Sequence, residues 1–290
     1  MRIVVSLGIK DEVEIIERTI AHLWSIGVDL VIACDMGSTD GTIEALERLR
    51  SREDLWLVRM SDEYDQDTWT GKNLDLLQQA KADWVIFLDA DEYPLPASGS
   101  IRDCAAMASA DIVSLDRFNV PLTPVGPAFP DVLTPSTYDD VLLVVNPIED
   151  FWSTRHRDPQ VPWITTRIRP RFIAQPRTIR GVTAGVHDVL AVDETSVRRS
   201  KAGDLFIAHL PFTTSGRFRR KIQNARQLLV THDAYFGPHS ALHWRRWVAM
   251  DERSLDEEFS RQVFDAGTIA DLRRRGVVRS ATEVFRGPAP

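Results

Sequence analysis

The chain has 290 residues, 43% hydrophobic and 27% charged, with a net charge of −7, a globular composition long enough for one large domain or a domain with an appendage. The negative balance argues against a nucleic-acid binder held by a general phosphate field. Its two cysteines, Cys34 and Cys104, match no disulfide framework or metal-ligand spacing, and no apolar run approaches the roughly 18 to 20 residues needed to span a bilayer.

The opening MRIVVSLGIKDE has too short an apolar run, and charges too early, for a signal peptide, so a cytoplasmic location is expected. Strand and helix signals then alternate. Ile3–Leu7 reads as a buried strand, and residues 12–26 place Val13, Ile16, Ile20 and Trp24 at helical spacing before Gly27. Leu30–Cys34, Trp56–Met60 and Trp84–Leu88 read as strands, with helices over 42–50 and 71–81. Ile112–Leu115 reads as a further strand. Repeated strand–helix–strand units of this kind predict an α/β sandwich around a largely parallel sheet, with ligands beyond the carboxyl ends of the strands.

Pro121 to Pro162 carries eight prolines and little periodicity, which reads as a long, partly irregular excursion. Short strand signals return over 163–210. After Ser215 the chain turns helical, with Phe218, Ile222, Ala225 and Leu229 on one face, and Ser254 with Glu257 reads as a capping box opening another helix.

Three polar segments fall at the predicted strand ends: Gly8-Ile9-Lys10-Asp11-Glu12, Asp35 to Thr42 (DMGSTDGT), and Asp89-Ala90-Asp91-Glu92. Their arrival at one sheet edge would form a single crevice. Asp89 and Asp91 are two apart, so on a continuing strand both point to one face. Crowded carboxylates repel unless a proton or cation intervenes, and hard oxygen ligands of this type suit Mg²⁺ or Mn²⁺ shared with phosphates. The bland alternative is that the acids cap the next element or meet an arginine. In DMGSTDGT the glycines allow close backbone approach, and Asp35 can accept from a base edge or ribose hydroxyl. The alternative there is a turn with Asp40 or Thr42 as N-cap.

Taken in order, these segments resemble family 2 glycosyltransferases of the GT-A fold. Lys10-Asp11-Glu12 stands for the K-N-E-like triplet, Asp35 to Thr42 for D-x-G-S-T-D-G-T, Lys72-Asn73 for the K/R-N helix, and Asp89 to Glu92 for D-x-D-E. Gly185-Val186-His187-Asp188 is similar to G-x-H-E, with aspartate in place of glutamate. His209-Leu210-Pro211, followed by Arg217 and Lys221, is similar to the late H-x-P and S-x-x-x-F-x-x-K region.

The resemblance implies a GT-A, Rossmann-like three-layer sandwich over 1–215, with a nucleotide-sugar half (1–115), an acceptor-side half (116–215) and a helical C-terminal extension (216–290). It also implies metal-dependent transfer of a sugar from a nucleotide diphosphate sugar, UDP by family habit, to a soluble small-molecule, glycan or peptide acceptor, with inversion. On this basis the donor nucleotide meets Gly8, Lys10, Glu12, Asp35, Gly37, Lys72, Asp89, Arg217 and Lys221. Asp89, Asp91 and His209 hold Mn²⁺ or Mg²⁺, with His187 a lesser candidate, and Glu92 is structural. Asp188 is the expected base, ahead of Glu149 and Asp150.

In Arg167-Ile168-Arg169-Pro170-Arg171 alternate basic residues would share one face of an extended strand, with pairing to acids on a neighbouring strand the favoured reading. His232, His239 and His243 lie near Trp244 and Trp247 without a completing carboxylate or cysteine, which favours packing over a metal site. Two other readings remain: an inactive sugar-nucleotide binder, and a D-x-D phosphohydrolase, which Glu92-Tyr93 after the acids disfavours. A nucleotidyltransferase would want a glycine- and arginine-rich loop where GIKDE stands.

Overall fold

The computed structural model describes residues 1–50, 52–60, 66–148, 160–183, 185–236 and 242–287, without the side chains of 66–68 and 231–236. Its first strand shows why a sheet forms. On β1 (Ile3–Ile9), Ile3, Val5, Leu7 and Ile9 join one core cluster while Val4 joins another, the alternation that a strand buried on both faces requires. β2 (Leu30–Asp35), β3 (Leu55–Arg59) and β4 (Trp84–Asp89) follow, with helices α1 (Ile16–Ser25), α2 (Thr42–Leu49) and α3 (Gln66–Gln79) between them. Ile16, Ile20 and Leu23 of α1 and Ala45 and Leu46 of α2 enter the first cluster. Leu77 of α3 enters the second, with Leu74 packed against it. The result is helix, sheet and helix in three layers.

The remaining strands, in chain order, are β5 (Glu92–Pro96), β6 (Ile112–Leu115), β7 (Arg117–Asn119), β8 (Leu122–Thr123), β9 (Gly126–Pro127) and β10 (Leu142–Val144). They continue with β11 (Arg171–Ala174), β12 (Ile179–Val182), β13 (Val189–Ala191), β14 (Arg199–Lys201), β15 (Leu205–His209) and β16 (Val278–Ser280). Among the described residues the main sheet has seven strands in the order β14-β6-β11-β4-β1-β2-β3. β1 to β4 are parallel wherever they pair, as are β6 and β14, whereas β11 runs antiparallel to both its neighbours.

Three local expectations change. β1 runs on through Ile9, so Gly8 is a strand residue rather than the start of a loop. β4 stops at Asp89, and β5 starts at Glu92 and pairs with β15 instead. Asp89 and Asp91 therefore flank a turn and do not share a strand face. The helix expected to open on a Ser254–Glu257 box spans Glu252–Arg261, because Asp251 caps it by accepting from the Ser254 N–H.

The chain divides into two compact units: Met1–Arg117, Asp131–Pro135 and Arg169–His209 in the first, and Phe118–Pro130, Ser136–Ile168 and Leu210–Pro290 in the second. This division follows a different line from a boundary at 215, since much of the proline-rich excursion groups with the C-terminal helices. Their common core explains it: Leu122, Val144, Trp163 and Ile164 pack with Phe212, Phe218, Ile222, Trp247 and Leu255. Phe218 and Ile222 lie on α4 (Ser215–Phe236), Trp247 on α5 (Leu242–Val248) and Leu255 on α6 (Glu252–Arg261), followed by α7 (Ala266–Arg274) and α8 (Ala281–Phe285). His243 stacks on Trp163 with centroids 5.2 Å apart and meets Trp247 edge-on, so it is a packing residue. His239 and the His232 side chain lie outside the described residues. Among the described residues no helix is long and apolar enough to cross a membrane, and Cys34 and Cys104 are free and buried.

Behind the turn after β4, His22 of α1 is buried, with Nε2 2.7 Å from the Pro94 carbonyl oxygen. Burial lowers its pKa to about 4 against the opposing pull of that hydrogen bond. The folded state thus binds fewer protons than the unfolded chain between these values. His22 leaves stability intact above pH about 6.5 and erodes it as pH falls toward about 4, by on the order of 3 kcal/mol. Urea unfolding at pH 7 and pH 4.5 should show this loss in the native chain and a smaller one in His22→Gln. Equal losses in both would remove His22 as the cause.

Candidate active site

Sheet register brings the three polar segments to one edge. Gly8 pairs with Cys34 on one side and Asp89 on the other, and Ile9 pairs with Asp35. A Cβ added at Gly8 would lie 3.7 Å from Asp89 Oδ1, so a longer side chain there would cover that carboxylate. The residue leaves the edge open.

The first two segments are stapled to each other. Lys10 Nζ donates to the carbonyl oxygens of Met36, at 3.0 Å, and Gly37. Asp11, left-handed at φ 54°, accepts from the Thr39 N–H at 2.6 Å and donates its own N–H to Ser38 Oγ. The buried Glu12 donates its N–H to Thr42 Oγ1 at 2.8 Å. Asp35, also buried, accepts from the N–H groups of Gly37 and Ser38. That fold-back needs φ 83° at Gly37, a conformation suited to glycine. Gly41, at φ 100°, takes the N-cap position of α2, while Asp40 beside it accepts from the Thr42 N–H. Below the edge, the buried Asn73 of α3 accepts from Ser6 Oγ of β1 at 2.6 Å, while Lys72 beside it is exposed.

The charge at the end of β4 is met by the protein's own arginines. Glu92 is fully buried; Arg171 Nε donates to both its oxygens, at 2.9 and 2.8 Å, and Arg117 pairs with it as well. Burial alone would raise the Glu92 carboxyl, but the two guanidiniums overcome it and hold the group down at about 2. Arg171 also pairs with Asp89. Burial raises the Asp89 pKa against this pairing, with Glu92 and Asp91 adding to the rise; 59% of its side chain still meets solvent, and water screens much of that shift.

Asp91 turns elsewhere. It is buried, and His209 Nε2 at the end of β15 lies 3.6 Å from its Oδ2. Burial lowers the His209 pKa, with Asp91 opposing, which favours the neutral imidazole. The structure therefore brings two of the three expected metal ligands together and commits Asp89 to Arg171. Among the described residues no group of three or more His, Cys, Asp or Glu is arranged to hold a metal ion.

Arg171 reaches one more segment. Its Nη1 donates to the carbonyl oxygens of Gly185 and of Val186, the latter at 2.9 Å. These residues have φ of 71° and 55°. The first suits glycine, and a Cβ there would fall 2.9 Å from His187 Nε2. At Val186 a β-branched side chain in the left-handed region is a genuine outlier, of about 1–3 kcal/mol, that persists only where surroundings enforce it. Asp188 follows, exposed, with Oδ1 3.0 Å from Arg199 Nη1. His187 is held neutral, its pKa lowered to about 3 by burial and then by Arg171. Glu149 and Asp150 lie outside the described residues.

In the second unit Arg217 is wholly buried and donates to the carbonyl oxygens of Leu210 and Pro211, at 3.1 and 3.3 Å. It braces the two residues that follow His209 in the chain. Lys221, one turn on, is half-buried. Of the alternating arginines only Arg171 lies in a strand, while Arg167 and Arg169 are exposed outside it. Proline cannot donate to a ladder, so Pro170 places the strand start at Arg171. The alternating pattern groups Arg171 with Arg167 and Arg169; the signal that singles it out is its position directly after the proline.

Residues 8–115 match the family model of Glycosyl transferase family 2. No curated protein sequence matches the chain. Among solved structures, S. aureus TarS is 14% identical over 89% of this chain and 42% of its own, with a TM-score of 0.42. The mannosyltransferase PcManGT from Pyrobaculum calidifontis, in complex with GDP-Man and Mn²⁺, is 17% identical over 95% of this chain and 79% of its own, with a TM-score of 0.39. Glucosyl-3-phosphoglycerate synthase from Mycobacterium tuberculosis, in complex with Mn²⁺, UDP and phosphoglyceric acid, is 21% identical over 41% of this chain and 43% of its own, at 0.29. This chain thus spans less than half the length of the TarS chain.

Proposed function

We propose that this chain, whose residues 8–115 match Glycosyl transferase family 2, is a metal-dependent glycosyltransferase that moves a sugar from a nucleotide diphosphate sugar, UDP-linked by preference, to a soluble acceptor in the cytoplasm. The observation that carries the reading is the register that sets Gly8 beside Asp89 and Ile9 beside Asp35 at one sheet edge. Ligands of open α/β sheets bind at this edge.

Asp91 and His209 fit a divalent ion: one hard oxygen donor and one neutral imidazole, both buried and 3.6 Å apart. When bound with the donor, the ion would supply Lewis-acid stabilisation of the leaving diphosphate. Asp35 is our candidate for the base or ribose contact. Gly8, Lys10, Glu12, Gly37 and Lys72 complete the proposed donor side together with Asp89. Asp188 is the proposed base. It takes the proton of the acceptor hydroxyl while that oxygen bonds to the anomeric carbon and the carbon–diphosphate bond breaks on the opposite face, inverting configuration. Arg199 would orient its carboxylate.

The test is hydrolysis of UDP-, GDP- and dTDP-sugars by the full chain with and without Mn²⁺. Metal-stimulated release of the nucleoside diphosphate is expected. Asp188→Asn should keep donor binding and lose about 10²- to 10⁴-fold in transfer. If no donor binds or turns over, the reading fails; phosphate release from simple monoesters would favour the phosphohydrolase, and binding without turnover the inactive binder.

A further inference from the structure

Only 2% of the Arg171 surface is exposed, and its guanidinium is divided among three places. Nε is locked on Glu92, one amino group pairs with Asp89, and the other holds the carbonyls of Gly185 and Val186. The Glu92 arm is fixed, because Glu92 is fully buried and Arg117 holds it too. The Asp89 arm faces water, since 59% of that side chain is accessible. The third arm restrains a backbone pair of which Val186 occupies a conformation that its side chain disfavours.

We propose that Arg171 is a positioning residue that couples the Asp89–Glu92 turn to the Gly185–Asp188 loop, so that a nucleoside diphosphate arriving at Asp89 resets the loop that carries Asp188. This rests on the functional reading above. An arriving nucleoside diphosphate competes for the Asp89–Arg171 pair, its ribose hydroxyls for the carboxylate and its phosphates for the guanidinium. Either competition redirects an arm of a planar fork whose other arms are fixed relative to it. The pull on the Gly185 and Val186 carbonyls then changes, and Val186 supplies the bias, because releasing it toward negative φ relieves strain. A ligand shifts such an equilibrium only by interacting differently with its two states, and the Asp89 pair provides that difference. Lysine at 171 would keep the charge but, as a point donor on a flexible stem, could not span Glu92, Asp89 and the two carbonyls in one geometry.

The experiment is hydrogen exchange over residues 180–192 of the full chain, with and without UDP plus MnCl₂ (GDP where the native chain selects it), beside steady-state donor hydrolysis. In the native chain, exchange at Gly185–Asp188 should change on nucleotide binding. Arg171→Lys, which keeps the positive charge, should still bind nucleotide, show no change there, and lose about 10²-fold in kcat with a much smaller change in donor KM. Val186→Gly removes the strain and, because Val186 is only partly buried against the core, loses less packing than a core truncation, so it decides the matter should the lysine variant not fold. It too should bind nucleotide and lose the exchange response. A response that persists in the variants, or a native loop indifferent to a nucleotide that binds, overturns the coupling. A native chain that binds no nucleoside diphosphate marks failure of the functional reading instead, and the coupling falls with it.

Discussion

Asp91→Asn is expected to lower donor turnover about 10²- to 10³-fold, the range typical for removing one group that stabilises developing charge. Asparagine matches the shape of aspartate and accepts through one oxygen, so the buried contact toward His209 keeps its packing while losing its charge. The diagnostic is the metal titration. Turnover of the native chain should rise with added Mn²⁺ and that of Asp91→Asn should not. The parallel change Asp89→Asn should retain more of the metal response, because Asp89 is committed to Arg171 in the structure. A normal Mn²⁺ response in Asp91→Asn would sink the assignment.

The largest stability effect is expected at Glu92. Its carboxylate lies between two guanidiniums, none of the three groups more than 8% exposed in its side chain. Glu92→Ala removes the buried carboxylate from Arg117 and leaves Arg171 with Asp89, a loss of about 3–5 kcal/mol for breaking a buried ion pair. For a domain of this size that corresponds to a melting temperature lower by on the order of 10 °C. Calorimetry checks it, and a variant melting at the native temperature would show that Arg117 and Arg171 find other partners.

The pH dependence follows from the same pairing. The Glu92 pKa is depressed in the fold, so the unfolded chain takes up its proton first. Its contribution is complete above the ordinary glutamate value of about 4.5 and is lost as pH falls through about 2. The His22 window, from about 6.5 to about 4, lies above it. Acid unfolding should therefore steepen in two stages, and Glu92→Ala should remove only the lower one.

The strands that position the site were legible because each is a continuous apolar run ending in polar residues, and sheet register carries those ends to one level. Asp35 to Thr42 was legible for the same local reason: its glycines sit where the backbone takes positive φ. The division of labour after β4 was not. It depends on β4 stopping at Asp89, and on Arg171 arriving from eighty-two residues away on a strand of opposite direction. A period-2 pattern across Arg167, Arg169 and Arg171 carries no information about which of them enters a sheet. Nor could periodicity reveal that Trp163 and Trp247 share a core, since that contact joins segments distant in sequence.

The reversed direction of β11 has a consequence for how this architecture can vary. Leu115, the last residue of β6, stands directly opposite Arg171, the first of β11. The chain therefore departs from and re-enters the sheet at adjacent positions, like the two contacts of a socket. A loop closed at its base tolerates changes of length at small entropic expense, so the segment beyond β7, residues 120–168, can be lengthened, shortened or exchanged while Arg117 stays on Glu92 and the register of β1, β2 and β4 is kept. Much of that insert shares its core with residues after Leu210, so a working transplant must carry both pieces. Chimaeras that exchange 120–168 alone should express poorly, whereas those that exchange it together with 210–290 should express and keep the main sheet folded.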